Sequence, residues 1–502
     1  MYSFFIALLS ASALDVPPAR VLQSPAPRTA PAPAANGRYV GPAELPRAVP
    51  TFPARLLTAA CTDTVRRNLQ RALSSARGGR VLCLDGDFVG SHTVPARRDT
   101  AWLVIRSLVS RTPVGTRARP SQVAGYARIL TASGGASSAL IIKGERVVVT
   151  ELELGLDPEL RSIVGTVVDV PTPSADVVLD RLWIHASATQ QVQRCVALNG
   201  GAATVQHSWL GDCHAKGYDS QAIAGWNGTG PYLIDDNHLE GAGENVMFGG
   251  AHPEIAGMVP SDITITRNYL YTPMAWKKVW TKKNLFELKN AVRVHVAGNV
   301  MNGSWTDGQV GFGVMIYSTN QGNGRCTWCR VTDVAFVDNR IVNVASGINL
   351  SARQTKVDTT TRRVAFVGTV IDSINGTGDG RLIQLLNGGR DLLIDSLVAT
   401  GGGGKVRQFL VLDPSPAWIG VTITNSVAEA GQYGIFRSSS KQGDATLRAA
   451  LGPPLVYRNV TLLGPMRQGY GMSKWWPSGE PPLAKAIRAR VAAATAGVVV
   501  PP

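Results

Sequence analysis

Charge is scarce in this chain: only 17% of its 502 residues are Asp, Glu, Lys or Arg, while 44% are hydrophobic. Disordered proteins need the opposite balance, so the composition is that of a chain that buries a core. Long apolar runs are missing as well. Outside the N-terminus none approaches the roughly 18 residues that cross a membrane as a helix, so no membrane span is expected. Histidine is rare, at 7 residues, and cysteine numbers 6. His207, His214 and His238 have no metal-ligand spacing, and Cys326-x-x-Cys329 lacks the second pair that a zinc site requires. There is no G-x-S-x-G elbow, and Gly401 to Gly404 lies at a turn between apolar strands rather than opening a helix around a phosphate.

Turn formers, by contrast, are plentiful. Fifty-three Gly and 30 Pro exclude a helical bundle and point to an all-β chain. Fifty Lys and Arg against 35 Asp and Glu leave a net charge of +15, which suits acidic partners. The length fits two or three domains, or one repeat architecture whose core grows along an axis.

The N-terminus reads as an export signal. Phe4 to Leu9 form a short apolar core, and Ala11-Ser12-Ala13 is a pattern that signal peptidases accept, although no basic residue precedes the core. Residues 1–13 are therefore expected to be a signal peptide, and the protein to be secreted to an extracellular or periplasmic space. Residues 14–60, rich in Pro and Ala, are expected to be an extended linker that buries little. Six cysteines suit an oxidising compartment. Several pairings are formally open, and their order suggests sequence neighbours: Cys61 with Cys83, Cys195 with Cys213, Cys326 with Cys329.

After the linker, Thr62 and Asp63 serve as caps for a predicted helix in which Val65, Leu69 and Leu73 recur at helical spacing until Gly78-Gly79. Short apolar strands then follow one another, broken by Gly, Asn and Asp. One segment recurs: Asp236-Asn237-His238-Leu239, Arg267-Asn268-Tyr269-Leu270, Gly298-Asn299-Val300-Met301 and Asp338-Asn339-Arg340-Ile341. Most steps are about 30 residues, the length of one coil of a parallel solenoid. Asn at the same corner of successive coils can bond the Asn above it and the backbone of the bend, so these residues read as a structural ladder. Residues 61–465 are read as this solenoid, and residues 466–502 as a tail with a second capping helix at Leu483 to Ala494.

The N-terminal helix with Gly78-Gly79-Arg80-Val81, the coil length and the Asn corner resemble the right-handed parallel β-helix proteins of the pectin-lyase-like superfamily. The stretch from Asp219 to Asn290, above all Gly241 to Gly250, is similar to a bacterial subgroup of β-helix proteins with no assigned reaction. The resemblance implies a single-stranded right-handed β-helix with an N-terminal capping helix. It also implies polysaccharide chemistry, because the superfamily holds lyases and hydrolases beside non-catalytic adhesins. The polygalacturonase segments Gly-His-Gly and Arg-x-Lys are missing, as is the pectate-lyase signature Arg-x-Pro-x-x-Arg, so no catalytic residue carries over from those enzymes.

The candidate chemistry therefore rests on aligning coils. Asp219, Glu244, Glu287 and Asp307 recur over four neighbouring coils, and like charges on one stripe are costly unless they share a proton, bind a cation or meet basic groups. In a lyase such carboxylates hold calcium or neutralise a uronate while Lys283, Lys289, Lys216 or Arg267 acts as base. In an inverting hydrolase two of them, such as Asp219 and Glu287, stand about 6.5–9.5 Å apart. Trp226, Trp276, Trp280 and Trp305 are expected to offer stacking faces to sugar rings, helped by Asn227, Asn245, Lys277, Lys278, Asn284 and Gln309. The basic, aromatic loop from Trp276 to Lys283 suits an acidic glycan; no nucleic-acid fold accompanies it, so no nucleic acid partner is expected. The expectation is a monomeric, secreted protein that cleaves an acidic polysaccharide by β-elimination. Calcium is its candidate cofactor, with inverting hydrolysis or glycan binding without cleavage as alternatives.

Overall fold

Short runs of β-branched and aliphatic residues, each ended by a turn former, pair in parallel from one coil to the next. The structure is a computed structural model and describes residues 41–109, 111–319, 326–353, 360–412, 416–438 and 442–499. The signal reading for residues 1–13 and the first part of the linker, residues 14–40, lie outside the described residues. Among the described residues, 26 strands join into one continuous parallel sheet and 12 into a second. An inward column of the second sheet shows how the core is made. Val196, Ile223, Val246, Phe286, Val314 and Ile348 share one register, and each is at most 1% exposed. Rungs spaced about 4.8 Å apart stack these side chains into one column along the axis.

The Asn corner is a hydrogen-bonded ladder. Asn237 Nδ2 donates to Asn268 Oδ1 at 2.9 Å, Asn268 to Asn299 at 3.1 Å and Asn299 to Asn339 at 3.0 Å. Each of these Oδ1 atoms also accepts the backbone N–H of the Asn one coil earlier, and all four residues are fully buried. The residue before each bends the chain through positive φ: 52° at Asp236, 55° at Arg267, 64° at Gly298 and 52° at Asp338. The ladder thus satisfies polar groups that a tight bend would strand. The three disulfides join Cys61–Cys83, Cys195–Cys213 and Cys326–Cys329, sequence neighbours in each case.

The ends depart from expectation in three places. Asp63–Val65 is a strand paired with Leu82–Leu84, because Thr64 and Val65 favour extended backbone, and helix α1 begins only at Leu69 and ends at Ser75. Its Leu69 and Leu73 do face the core. The linker does not hang free throughout: residues 41–60 lie along the larger sheet. There the Ala43 N–H donates to Asp333 at 2.9 Å, Arg47 Nε to Asp262 at 2.6 Å, and Leu57 packs against Val81, Val148 and Val178. Polar contacts from Ala43 and Arg47 supply the anchoring that Pro and Ala cannot. Finally, helix α2, Asp444–Ala450, contacts the last coils, whereas helix α3, Pro482–Ala494, packs on its side. Its Ala484, Ile487 and Val491 cover Val370, Val398 and Val427, so α3 is a brace along the wall rather than an end cap.

Candidate active site

The acid-bearing coils are successive rungs of the second sheet, formed by the strands Gln221–Gly225, Glu244–Phe248, Phe286–Leu288 and Phe312–Ser318. Two bulges set the side chains. Asn245 N and Val246 N share the Leu285 carbonyl at 2.8 and 3.3 Å, and Lys283 N and Asn284 N share the Gly243 carbonyl at 3.1 and 3.0 Å. Gly243 also lets the preceding coil come close, since a Cβ there would lie 2.7 Å from the Ser220 carbonyl oxygen. The bulges break the simple alternation of the strands beside Glu244 and bring its carboxyl to Glu287 of the next coil.

Glu244 and Glu287 are both fully buried. Gln221 Nε2 donates to Glu244 at 2.8 Å, and Asn284 Nδ2 donates to Glu287 at 3.1 Å and to Gln309 Oε1 at 2.8 Å. Burial first, and then the charge and hydrogen bond of Glu287, push the Glu244 carboxyl from its ordinary 4.5 up to about 8, so it holds a proton at neutral pH. Lys289 Nζ stands 3.1 Å from Glu287. Burial is the largest single influence and opposes its charge, but Glu287, with Tyr317 and Glu244 adding to it, more than offsets burial and holds the ammonium above the usual lysine range. The half-buried Tyr317 closes the group, its ring centroid 5.6 Å from Lys289 Nζ; burial and then Glu287 raise its phenol, which keeps its proton. Tyr317 was not singled out in the sequence, although it follows Glu287 by one coil, two residues beyond the register partner Met315.

The other expected residues divide. Asp219 is two-fifths exposed and forms an ion pair with Lys283, away from the carboxyl pair. Asp307 is exposed and accepts the Lys282 backbone N–H at 2.9 Å, which makes it a loop anchor. The four acids thus keep to successive coils, but only Glu244 and Glu287 meet. Lys282, passed over in the sequence, is wholly buried and donates to Thr272 Oγ1 at 3.0 Å and the Asn284 carbonyl at 2.8 Å; burial lowers it to about 7. Arg267 pairs with Asp235 at the Asn-ladder corner of the larger sheet, and Lys216 is exposed at a turn, so neither joins the site.

Several expected sugar contacts are structural. Trp305 is 1% exposed. Asn245 is buried and donates to the Leu239 and Tyr271 carbonyls at 2.7 and 2.6 Å, and Asn227 accepts the Glu254 N–H at 3.0 Å. Trp280 stacks on His214 with 4.0 Å between centroids and Trp276 meets its edge at 4.8 Å, so the loop carrying half-buried Lys277 and exposed Lys278 is pinned to the preceding turn. Trp226 is half-buried at the rim, with the Arg194 guanidinium 4.8 Å above its ring.

Calcium takes six to eight oxygens, mostly from carboxylates and carbonyls. The cluster offers two carboxyls, one already met by Lys289, and the amides of Gln221 and Gln309; among the described residues no group of three or more His, Cys, Asp or Glu is placed to hold a metal. The donor set does not fit a calcium cage.

No protein-family model matches the chain, and no curated protein matches it. Solved structures do. A mannuronic acid-specific polysaccharide family 6 lyase from human gut microbiota superposes with a TM-score of 0.51 at 10% identity, over 87% of this chain and 96% of that one. A GH87 α-1,3-glucanase from Streptomyces thermodiastaticus follows at 0.48 and 11%, over 85% and 71%, and the polygalacturonase of Erwinia carotovora at 0.40 and 12%, over 79% and 100%. With its parallel coils, its Asn corner and its likeness to the family 6 lyase structure, the chain has a right-handed parallel β-helix fold.

Proposed function

We propose that the protein is a secreted carbohydrate-active enzyme that cleaves an acidic polysaccharide by β-elimination. The observation that carries this reading is the contact of a carboxyl, an amine and a phenol, Glu287, Lys289 and Tyr317, on neighbouring coils of the second sheet, with Tyr317 the most exposed of the three. Elimination removes the proton beside a uronate carboxylate and returns one to the leaving oxygen, so it needs a base, an acid and positive charge near the anion. In this reading the Glu287 carboxylate takes the proton from the sugar carbon while the Lys289 ammonium steadies the uronate carboxylate. The C–H electron pair becomes the double bond as the C–O bond breaks, and Tyr317 protonates the departing oxygen. Lys289 then reprotonates Tyr317 and recovers its own proton from Glu287, which restores the starting state. Lys283, 18% exposed beside Asp219, adds positive charge at the rim.

Hydrolysis is the second reading, favoured by the protonated Glu244 beside the ion-paired Glu287. It ranks second because the two carboxyls touch, whereas inversion needs room for a water between them, about 6.5–9.5 Å. The test incubates the purified full chain with polyuronates and neutral glycans while following unsaturated-uronide absorbance and new reducing ends. Absorbance that is lost in Tyr317→Phe supports elimination. Reducing ends without absorbance would make the protein a hydrolase, and binding without new ends would make it a glycan-holding surface protein.

A further inference from the structure

Arg194 carries a charge that the fold does not use. It is half-buried, its Nε is sealed from solvent without a hydrogen-bond partner, and among the described residues its side chain forms no ion pair. Buried guanidinium groups are ordinarily held by a carboxylate in a two-bonded fork. Asp169, Asp219 and Glu244 reach Arg194 only through space, and burial dominates, pulling its pKa down. What fixes the side chain instead is Trp226, whose ring lies 4.8 Å from the guanidinium carbon. A guanidinium resting on an indole spends its face on the ring and keeps its edge N–H donors free. Its place on the stripe is defined by register: Arg194 pairs with Gln221 and Gln221 with Glu244, so it stands two rungs, about 10 Å, from Glu244 and three, about 14 Å, from the coil of Glu287 and Lys289. Ala197 and Ala224, both buried and small, leave the floor beside it low.

We propose that Arg194, stacked on Trp226, is a specificity residue that takes a carboxylate of the polysaccharide at a subsite three coils from Glu287 and Lys289. The inference rests on the reading that this stripe binds an acidic glycan; it adds which residue recognises the acid and where. The uronate carboxylate supplies the planar, two-oxygen partner that the free guanidinium edge lacks. A neutral sugar leaves that charge buried and unpaired, so the site discriminates against it.

The test uses the full chain in the Tyr317→Phe background, so that binding is measured without turnover, with an oligouronate and its carboxyl-reduced counterpart as probes. Calorimetry should show Arg194→Gln losing at least tenfold in affinity for the oligouronate and less than twofold for the reduced form. Arg194→Lys should recover only a minor part, because an ammonium cannot reproduce the fork. With Tyr317 restored, Arg194→Gln should raise KM far more than it lowers kcat, with an unchanged melting temperature. Loss of acid-selective binding in a protein that never cleaves would uphold Arg194 while sinking elimination. Cleavage with KM and affinity unmoved by Arg194→Gln would sink Arg194 and leave elimination standing, and Arg194→Lys binding like the parent would refute the two-bonded fork.

Discussion

Replacing Glu287 by Gln removes one charge of a buried pair while keeping its shape. Glu287 is fully buried, Lys289 is 5% exposed, and they are 3.1 Å apart. The variant leaves an ammonium in the wall with no carboxylate, and stranding one partner of a buried pair costs about 3–5 kcal/mol. Lys289→Met strands Glu287 and should cost about as much. The double variant Glu287→Gln/Lys289→Met strands neither charge, so it should return to within about 1 kcal/mol of the parent. A coupling energy of about 5 kcal/mol or more is therefore expected from the cycle. Urea unfolding of all four proteins at pH 7, followed by tryptophan fluorescence, measures it. A coupling below about 0.5 kcal/mol would mean that the two groups do not act as a unit, and the proton path drawn through them would fall with it.

Glu244 makes stability depend on pH. Its folded value lies near 8 against an ordinary 4.5, so its contribution is complete below about 4.5 and is lost as pH rises towards 8; Glu244→Gln should flatten that decline, as denaturation midpoints across the range would reveal. Asn268→Ala removes donors to Ile234 O and Asn299 Oδ1 and the acceptor of the Asn237 N–H, and should cost about 2–4 kcal/mol in a urea titration; a loss under 0.5 would refute the ladder's stabilising role. Asp262→Asn should cost about 1–3 kcal/mol in urea unfolding, because the buried carboxylate also holds Arg293 through both oxygens, and it should speed native-state trypsin cleavage after Arg47. Removing Cys195 and Cys213 together, which opens a loop with a separation of 18 residues, should cost about 3 kcal/mol, read as a lowered unfolding midpoint.

Repetition made much of this molecule legible. Asn237, Asn268, Asn299 and Asn339 recur because every coil must solve the same bend, and that need leaves a period in the sequence. The same period put Asp219, Glu244, Glu287 and Asp307 on successive coils. Which of them meet was not legible, because shared carbonyls at Gly243 and Leu285 break the alternation, and a bulge has no residue signature of its own. Lys282, Lys283 and Lys289 look alike in a string of letters, yet one is sealed inside, one rests on Asp219 and one on Glu287. Arg194 escaped notice because its partner Trp226 belongs to the next coil; only reading residues across the stack, five positions beyond the register partner Gln221, brings them together. Trp276 and Trp280 misled for the opposite cause: their composition suited a sugar, while His214, 62 residues before Trp276, already filled the space between them.

The N-terminal segment docks on a corner where charge alternates with each coil. Asp262 pairs with Arg293 and Asp333 with Arg363, while Arg47 meets Asp262, Glu44 meets Arg293 at 3.6 Å and the Ala43 N–H meets Asp333. A shift of the segment by one coil would set Arg47 against Arg293 and Glu44 against Asp333, whereas a shift by two would restore opposite signs. The segment therefore reads the parity of the coils beneath it. Deletion of the one coil between Asp262 and Asp333, or insertion of another beside it, would therefore set like charges together and unfasten the segment.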